Sequence, residues 1–153
     1  MTVYVHSLEE WLIKLTEHFR TLETHDRLVE IGEKVLRRTF HLWIEKLSFE
    51  EKVEANGSNY ILDIYVRLKD GTEIAFEAGV ILNGRKVYDL TRRFKYVLHL
   101  PYGGPLKIFT KENAPENYVC NKGPRPAPYP MYIPPKPFDW REFLKPEERE
   151  RKY

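Results

Sequence analysis

Two stretches with apolar residues at helical spacing open the chain. Ser7, followed three residues later by Glu10, has the pattern of a capping box and predicts the start of a first helix. Its apolar positions are Leu8, Trp11, Leu12, Leu15 and Phe19. Thr24 or Asp26 can cap a second helix. The apolar stripe of this second helix is Leu28, Ile31, Val35, Leu36, Phe40, Trp43 and Ile44. Such stripes form buried faces, so we expect both helices to pack on one core.

The pattern changes from helical to alternating after the turn at residues 55–59. Residues 60–68 and 72–82 are predicted to be strands joined by a turn at 69–71. A two-residue turn would mix polar with apolar positions, whereas a three-residue loop ending in Gly71 keeps each face of the hairpin uniform. The favoured register pairs Asp63 with Glu77, Arg67 with Glu73, Ile64 with Phe76, and Val66 with Ile74.

Two interpretations of the next segment stay open. Residues 85–95 can form a helix that points Val87, Leu90 and Phe94 inward. Alternatively, Asn83 and Gly84 form a type I′ turn, and residues 85–88 become a third antiparallel strand. In either case residues 96–100 are predicted to be a buried strand. The expected fold is therefore an α+β domain over residues 1–121, in which N-terminal helices pack on a small mixed β-sheet.

Residues 122–153 have the composition of an extended arm. Eight of the eleven prolines lie between Pro124 and Pro146, a density that excludes regular helix or central strand. Aromatic residues are interleaved with them, namely Tyr129, Tyr132, Phe138, Trp140 and Phe143. Because solvated tails are usually poor in aromatics, we expect the arm to lie on its own domain or on a partner, which offers a route to a homodimer.

Composition favours a protein of a reducing compartment. The chain has 153 residues, enough for one domain, and its single cysteine, Cys120, excludes an internal disulfide. The N-terminal residues lack a signal-peptide pattern, and no apolar run is long enough for a membrane span. The expected location is the cytoplasm, or the host cytoplasm if the protein is viral. The chain contains no glutamine and 31% charged residues, a bias typical of thermophiles.

Asp63 and Glu77 are the candidate chemical centre. Two carboxylates on neighbouring strands provide oxygen ligands of the kind that Mg²⁺ or Mn²⁺ prefers, while water and phosphate fill the remaining positions. A third acid from the second helix, Glu30 or Glu33, would complete the set. The alternative interpretation is a solvated polar sheet face, with Arg67 and Glu73 as a cross-strand ion pair.

These residues resemble the motif of the PD-(D/E)XK nuclease superfamily. The stretch Ile61-Leu62-Asp63-Ile64 looks like its Asp strand, and Ile74-Ala75-Phe76-Glu77-Ala78-Gly79 looks like its Glu strand. The resemblance covers roughly residues 28–101. It implies a restriction-endonuclease-like core of helix, meander, helix and strand, and a metal-dependent nuclease that hydrolyses phosphodiester bonds of DNA or RNA. The small size is similar to that of nucleases from archaeal viruses.

The chain departs from that motif at one position. Gly79 stands where the superfamily has a lysine, so the positive charge beside the reacting phosphate has to come from elsewhere. Lys86 or Arg85 could supply it, and we assign the catalytic role to Lys86. If neither does, the site is degenerate and inactive.

The segment 85–95 is also the candidate nucleic-acid-binding surface. It has five basic side chains and one acid, Asp89, a local net charge of +4. The basic residues are Arg85, Lys86, Arg92, Arg93 and Lys95. An ordinary solvated helix face would have the same composition. Two other functions therefore stay open: a non-catalytic nucleic-acid-binding protein, and an assembly protein that uses the C-terminal arm. Among the histidines, His99 is expected to be hydrogen-bonded in place.

Overall fold

The computed structural model describes residues 7–21 and 23–124 of the chain. Of the arm expected at residues 122–153, positions 125–153 lie outside the described part. The predicted homodimer through the arm therefore stays a prediction.

Two helices, α1 (Leu8–Phe19) and α2 (His25–Phe40), begin where the capping signals predict. The Ser7 hydroxyl accepts a hydrogen bond from the Glu10 N–H at 3.1 Å. Of the two candidate caps of α2, it is Thr24 that accepts a bond, from the Arg27 N–H at 3.2 Å. In the part of the chain that the structure describes, no helix is both long and apolar enough to cross a membrane.

Helix α2 ends earlier than its apolar stripe predicts. After Phe40, a 3-10 turn at His41–Trp43 leads into the strand β1, Ile44–Ala55. The prediction that Trp43 and Ile44 continue the helical stripe is therefore wrong. His41 adopts a left-handed φ of 39°, which stops the helix, and Trp43 is 62% exposed. The apolar positions 43 and 44 continued the helical spacing by coincidence.

The predicted register of the central hairpin is confirmed for three of its four pairs, whereas Asp63 and Glu77 lie just beyond the observed ladder. β2 (Ser58–Leu68) pairs with β3 (Glu73–Ala78), and Gly71 takes the positive φ of 90° that the three-residue loop requires. The observed pairs are Ile64 with Phe76, Tyr65 with Ala75, Val66 with Ile74, and Arg67 with Glu73. The strand predicted for residues 72–82 is shorter in the structure, since it ends at Ala78.

The segment after β3 is helical, and the alternative of a third antiparallel strand at 85–88 is wrong. Helix α3 (Lys86–Thr91) leads into β4 (Tyr96–Leu100), which runs parallel to β3. A parallel pair needs such a crossover connection. A short strand β5 (Lys107–Phe109) completes a five-stranded mixed sheet of order β1-β2-β3-β4-β5. The expected α+β class is confirmed.

The sheet lies between two layers of helix. Helices α1 and α2 cover one face, where they pack against Ile64 and Phe76. Helix α3 covers the other face, where Val87 and Leu90 pack against Tyr65 and neighbouring strand residues. The active-site candidates Asp63 and Glu77 are on the two central strands between these layers.

Gly32 sets the distance between α2 and the sheet. A Cβ atom at this position would lie 2.4 Å from the ring of Phe76, which itself is 2% exposed. Helix α2 therefore approaches β3 more closely than any larger residue allows.

We expect Gly32→Ala to destabilise the protein by about 1–3 kcal/mol, because overpacking against Phe76 outweighs the gain of about 1 kcal/mol in helix propensity. Chemical denaturation of the two proteins measures the difference. The double variant Gly32→Ala/Phe76→Leu is the control, since a smaller side chain at 76 relieves the contact. A simple sum of the two single effects would refute the proposed packing.

Candidate active site

Asp63 and Glu77 lie side by side, as the register predicts. The Asp63 N–H donates to Glu77 Oε2 at 3.1 Å, and the Ala78 N–H donates to Asp63 Oδ2 at 2.8 Å. Each carboxylate therefore accepts a backbone hydrogen bond from the strand of the other. These two bonds continue the contact between β2 and β3 beyond the last ladder pair, Ile64 with Phe76.

Strand β2 is irregular at Asp63. Leu62 packs on the α3 side of the sheet and Ile64 on the α1–α2 side, although residues two apart in a regular strand share one face. Glu50, which lies opposite Asp63 on β1, has a positive φ of 50°. This bulge-like distortion allows the Asp63 carboxylate to reach the backbone of β3 and, as described next, helix α2.

The residue of α2 that contacts the pair is His25. Its Nε2 lies 3.3 Å from Asp63 Oδ1, and the imidazole is 47% exposed. His25 is the first residue of α2, so the cap at Thr24 fixes its position. The sequence gives no signal for this contact, because a lone histidine at a helix start has no distinctive spacing.

The structure does not bring Glu30 or Glu33 to the pair. Glu30 forms an ion pair with Arg27 at 2.6 Å, and Glu33 forms one with Arg37 at 2.8 Å. Within residues 7–21 and 23–124, neither acid bonds to the pair, and no group of three or more His, Cys, Asp or Glu side chains has the arrangement of a metal site. The predicted third acid is therefore absent from this arrangement.

Lys86, at the start of α3, brings a positive charge to Glu77. Its Nζ is in ion-pair contact with Glu77 Oε1 and donates to the Ile61 carbonyl at 3.2 Å. Apart from this ion pair, the buried Oε1 atom has no hydrogen-bond donor among the described residues. Lys86 therefore contacts both carboxylate-bearing strands, and its catalytic role stays a prediction.

Gly79 cannot be replaced by a lysine for two reasons. Its φ of 78° is in the left-handed region, which disfavours any side chain. A Cβ atom there would also lie 2.9 Å from the ring of Tyr102. A lysine at position 79 would therefore strain both the backbone and the packing against Tyr102.

Burial dominates the electrostatics of Glu77. The side chain is 3% exposed, and removal from water raises its pKa to about 7. The ammonium of Lys86 lowers the pKa and the neighbouring Asp63 raises it, both less strongly than burial. Near neutral pH this carboxyl is therefore close to its midpoint, and a cation placed against it would favour the ionised form.

Each of the two carboxylates has one oxygen that accepts no hydrogen bond from the backbone. These are Asp63 Oδ1, which contacts His25, and Glu77 Oε1, which contacts Lys86. Both contacts are made by side chains and not by the backbone. The donor set fits one hard divalent cation bound through two carboxylate oxygens, with other positions open to water or phosphate.

Helix α3 is held by a buried acid. Asp89 is 4% exposed and accepts hydrogen bonds from Asn56 Nδ2 at 2.8 Å and from the Tyr60 hydroxyl at 2.5 Å. Burial opposes ionisation of Asp89, but the bonds from Tyr60 and Asn56, with the charge of Arg85, outweigh it and lower its pKa. The β1–β2 hairpin thereby fixes the helix that presents Lys86.

His99 is hydrogen-bonded in place, as expected. Its Nε2 lies 2.5 Å from the Gly79 carbonyl, and its Nδ1 lies 2.8 Å from the Tyr118 hydroxyl. A carbonyl only accepts, so Nε2 has the proton and Nδ1 accepts from Tyr118. Burial lowers the pKa of His99, which keeps the ring neutral. The histidine thus supports the backbone at Gly79.

Part of the basic surface is neutralised by acids. Arg93 donates to both oxygens of Glu73 at 3.0 and 2.8 Å, and Lys86 pairs with Glu77. Glu73 does not form the cross-strand ion pair considered from the sequence, because the salt-bridge partner of Arg67 is Glu45, at 3.5 Å. The basic side chains of segment 85–95 therefore do not form one surface of unpaired positive charge.

The other basic residues of the segment differ in exposure. Arg85 and Arg92 both lie over the Tyr88 ring, with guanidinium-to-centroid distances of 4.7 and 4.2 Å. Arg85 is exposed and forms an ion pair with Asp89 at 3.6 Å, whereas Arg92 is half-buried and donates to the Lys111 carbonyl at 2.9 Å. Lys95 is exposed just before β4. The exposed part of the predicted phosphate-binding surface is therefore Arg85, Arg93 and Lys95, of which the two arginines are paired with acids.

We expect the raised pKa of Glu77 to make stability fall as pH rises. The folded state holds this proton more tightly than the unfolded state, so stability is fully present below pH 4.5 and is lost as pH rises through about 7. The loss is on the order of 3 kcal/mol. Glu77→Gln removes the titrating group. Its free energy of unfolding, relative to wild type, should therefore increase between pH 5 and pH 8.

Chemical denaturation in EDTA at the two pH values measures this change. Glu30→Gln, at an exposed position on α2, is the matched control for the loss of a carboxyl group. A difference between Glu77→Gln and wild type that is the same at both pH values would show that the carboxyl is not destabilised by burial.

Comparison with known proteins assigns neither a family nor a function to this chain. The chain matches no protein-family model, and no curated protein or solved structure shows significant similarity to it.

Proposed function

We propose that this protein is a metal-dependent nuclease that hydrolyses phosphodiester bonds of DNA or RNA. The observation that carries the proposal is the contact of Lys86 with the buried Glu77, beside Asp63 on the neighbouring strand. Two adjacent carboxylates can hold a divalent metal, and a nearby lysine can stabilise the charge of a phosphate, which are the roles that metal-dependent phosphodiester hydrolysis uses.

The order of elements supports the same proposal. Helix α2 is followed by the meander β1-β2-β3, then helix α3 and the parallel strand β4. This order resembles the minimal core of the PD-(D/E)XK nucleases, with Asp63 on the second strand and Glu77 on the third. We propose that the chain is related to that superfamily, with the lysine displaced from position 79 to position 86.

Asp63 and Glu77 would hold the metal through the two oxygens that lack a backbone donor. A bound Mg²⁺ or Mn²⁺ would supply Lewis-acid stabilisation of a phosphoryl oxygen and lower the pKa of a bound water. The backbone bonds to Asp63 Oδ2 and Glu77 Oε2 fix the orientation of both carboxylates. Burial of Glu77 also excludes bulk water, which strengthens each charge interaction.

Lys86 would stabilise negative charge on the phosphate. Its stem is mostly covered, with the side chain 20% exposed, so its ammonium is confined to the neighbourhood of Glu77. A positioned cation of this kind is most effective where little reorganisation is needed. Arg85, Arg92, Arg93 and Lys95, the other basic residues of segment 85–95, would contact the flanking phosphates.

Cleavage of labelled single- and double-stranded DNA and RNA tests the proposal. We expect cutting with Mg²⁺ or Mn²⁺ and none in EDTA. Asp63→Asn and Glu77→Gln should each lower the rate by on the order of 10³-fold, since each removes several kcal/mol of charge stabilisation. Lys86→Met, which keeps the apolar stem, should lower it by about 10²-fold or more.

Glu30→Gln is the control, because Glu30 is a carboxyl on α2 that does not contact the pair. It should cut at the wild-type rate. Metal-dependent cutting that persists in Glu77→Gln would overturn the assignment of the site. Salt-sensitive binding without any cutting would favour a nucleic-acid-binding protein on a degenerate nuclease scaffold.

A further inference from the structure

An open groove of about 820 Å³ lies beside the carboxylate pair. One wall is the end of the β1–β2 hairpin, which contributes Lys52, Tyr60 and Ile61. The opposite wall comes from the α3 region, including Asn83 and Lys86. Lys86 thus lines the groove and also contacts Glu77, so the groove leads directly to the candidate site.

The groove has an apolar wall that no other part of the described chain covers. Ile61 is 56% exposed, an unusual state for an isoleucine in the middle of a strand. Tyr60 beside it is held by the bond from its hydroxyl to Asp89. Tyr60 and Ile61 are consecutive residues of β2 and point to opposite faces of the strand, yet both line the groove. The fixed ring of Tyr60 provides a face on which a nucleobase can stack.

The charged groups of the groove favour a polyanion. Lys52, Lys86 and Arg93 line it with a single acid, Glu54. Lys86 pairs with Glu77 and Arg93 pairs with Glu73, so the positive charge of both side chains is partly neutralised by acids of the protein. Lys52 is exposed and forms no ion pair within the described residues.

The remaining lining residues are amides. Asn59 and Asn83 are both exposed on the groove, and Asn83 uses its side-chain oxygen to accept from the Arg85 N–H at 3.0 Å. Amide groups of this kind bond to the edges of bases. The groove thus offers an aromatic ring for stacking, amides and a modest positive charge. This combination fits a single strand, because the faces of its bases are accessible, whereas a duplex covers them.

We propose that this groove binds a single strand of nucleic acid, with unpaired bases against Tyr60 and Ile61, and guides it to the Asp63–Glu77 pair. The inference rests on the proposed function and specifies its substrate class. Cleavage would then occur at or beside an unpaired region, where the strand leaves the groove next to Lys86.

Binding of labelled oligonucleotides to the full chain in EDTA tests this proposal without any cutting. Single-stranded DNA, single-stranded RNA and a blunt duplex of equal length are compared by fluorescence anisotropy. We expect at least one of the single strands to bind more tightly than the duplex. Ile61→Asp should weaken that binding by about fivefold or more, because it removes exposed apolar surface and places a negative charge beside the phosphates.

Leu42→Asp is the matched control, since Leu42 is 74% exposed and lies outside the groove. Lys52→Ala is a second, independent variant. It should reduce the slope of log affinity against log salt by about 0.7, the value for one phosphate contact on a single strand. Thermal unfolding of each variant verifies that it is folded.

Equal binding of single strands and duplex, equal losses in Ile61→Asp and Leu42→Asp, or no binding at all would each overturn the proposal. Single-strand binding that depends on the groove, without metal-dependent cleavage, would preserve this inference and overturn the proposed nuclease. Cleavage that is unchanged by Ile61→Asp and Lys52→Ala would preserve the proposed nuclease and overturn the proposed role of the groove.

Discussion

The burial of one carboxyl group, that of Glu77, constrains the whole candidate site. A buried ion costs several kcal/mol unless nearby groups compensate it. Glu77 is compensated by the Asp63 N–H from β2 and by the ammonium of Lys86 from α3. The strand before it and the helix after it must therefore take fixed positions around β3. Compensation is incomplete, since the pKa remains raised to about 7, and this is the property that makes the group receptive to a further cation.

The position of Lys86 depends on packing far from the reacting groups. Helix α3 has only six residues and no side-chain cap, so it is too short to be stable alone. It is held by Val87 and Leu90 in the core and by Asp89, which bonds to the β1–β2 hairpin. Lys86 is thus placed by tertiary contacts, whereas Glu77 is placed by the strand that contains it.

The two helical layers give the site two different surroundings. On the α2 side, His25 reaches Asp63 from the capped end of a long helix. On the α3 side, Lys86 connects Glu77 to the open groove. The irregularity of β2 at Asp63 favours the first approach, because it turns that carboxylate out of the regular alternation of the strand. A functional residue in a distorted strand is a common way to combine a rigid scaffold with a reachable side chain.

The sequence by itself determined the pairing of Asp63 with Glu77. That register is a local property of two strands joined by a three-residue loop, and only one register keeps both faces uniform. The helix caps are local in the same way. Tertiary structure alone decided that α2 contributes His25 rather than Glu30 or Glu33, and that Lys86 pairs with Glu77. It also decided that the chain after Phe40 forms the strand β1. The Asn56-Gly57 turn after this strand is visible in the sequence, but the strand itself continues the helical spacing of α2. Contacts between layers depend on helix lengths and packing angles, such as the close approach that Gly32 permits, and no periodic pattern along the chain encodes these.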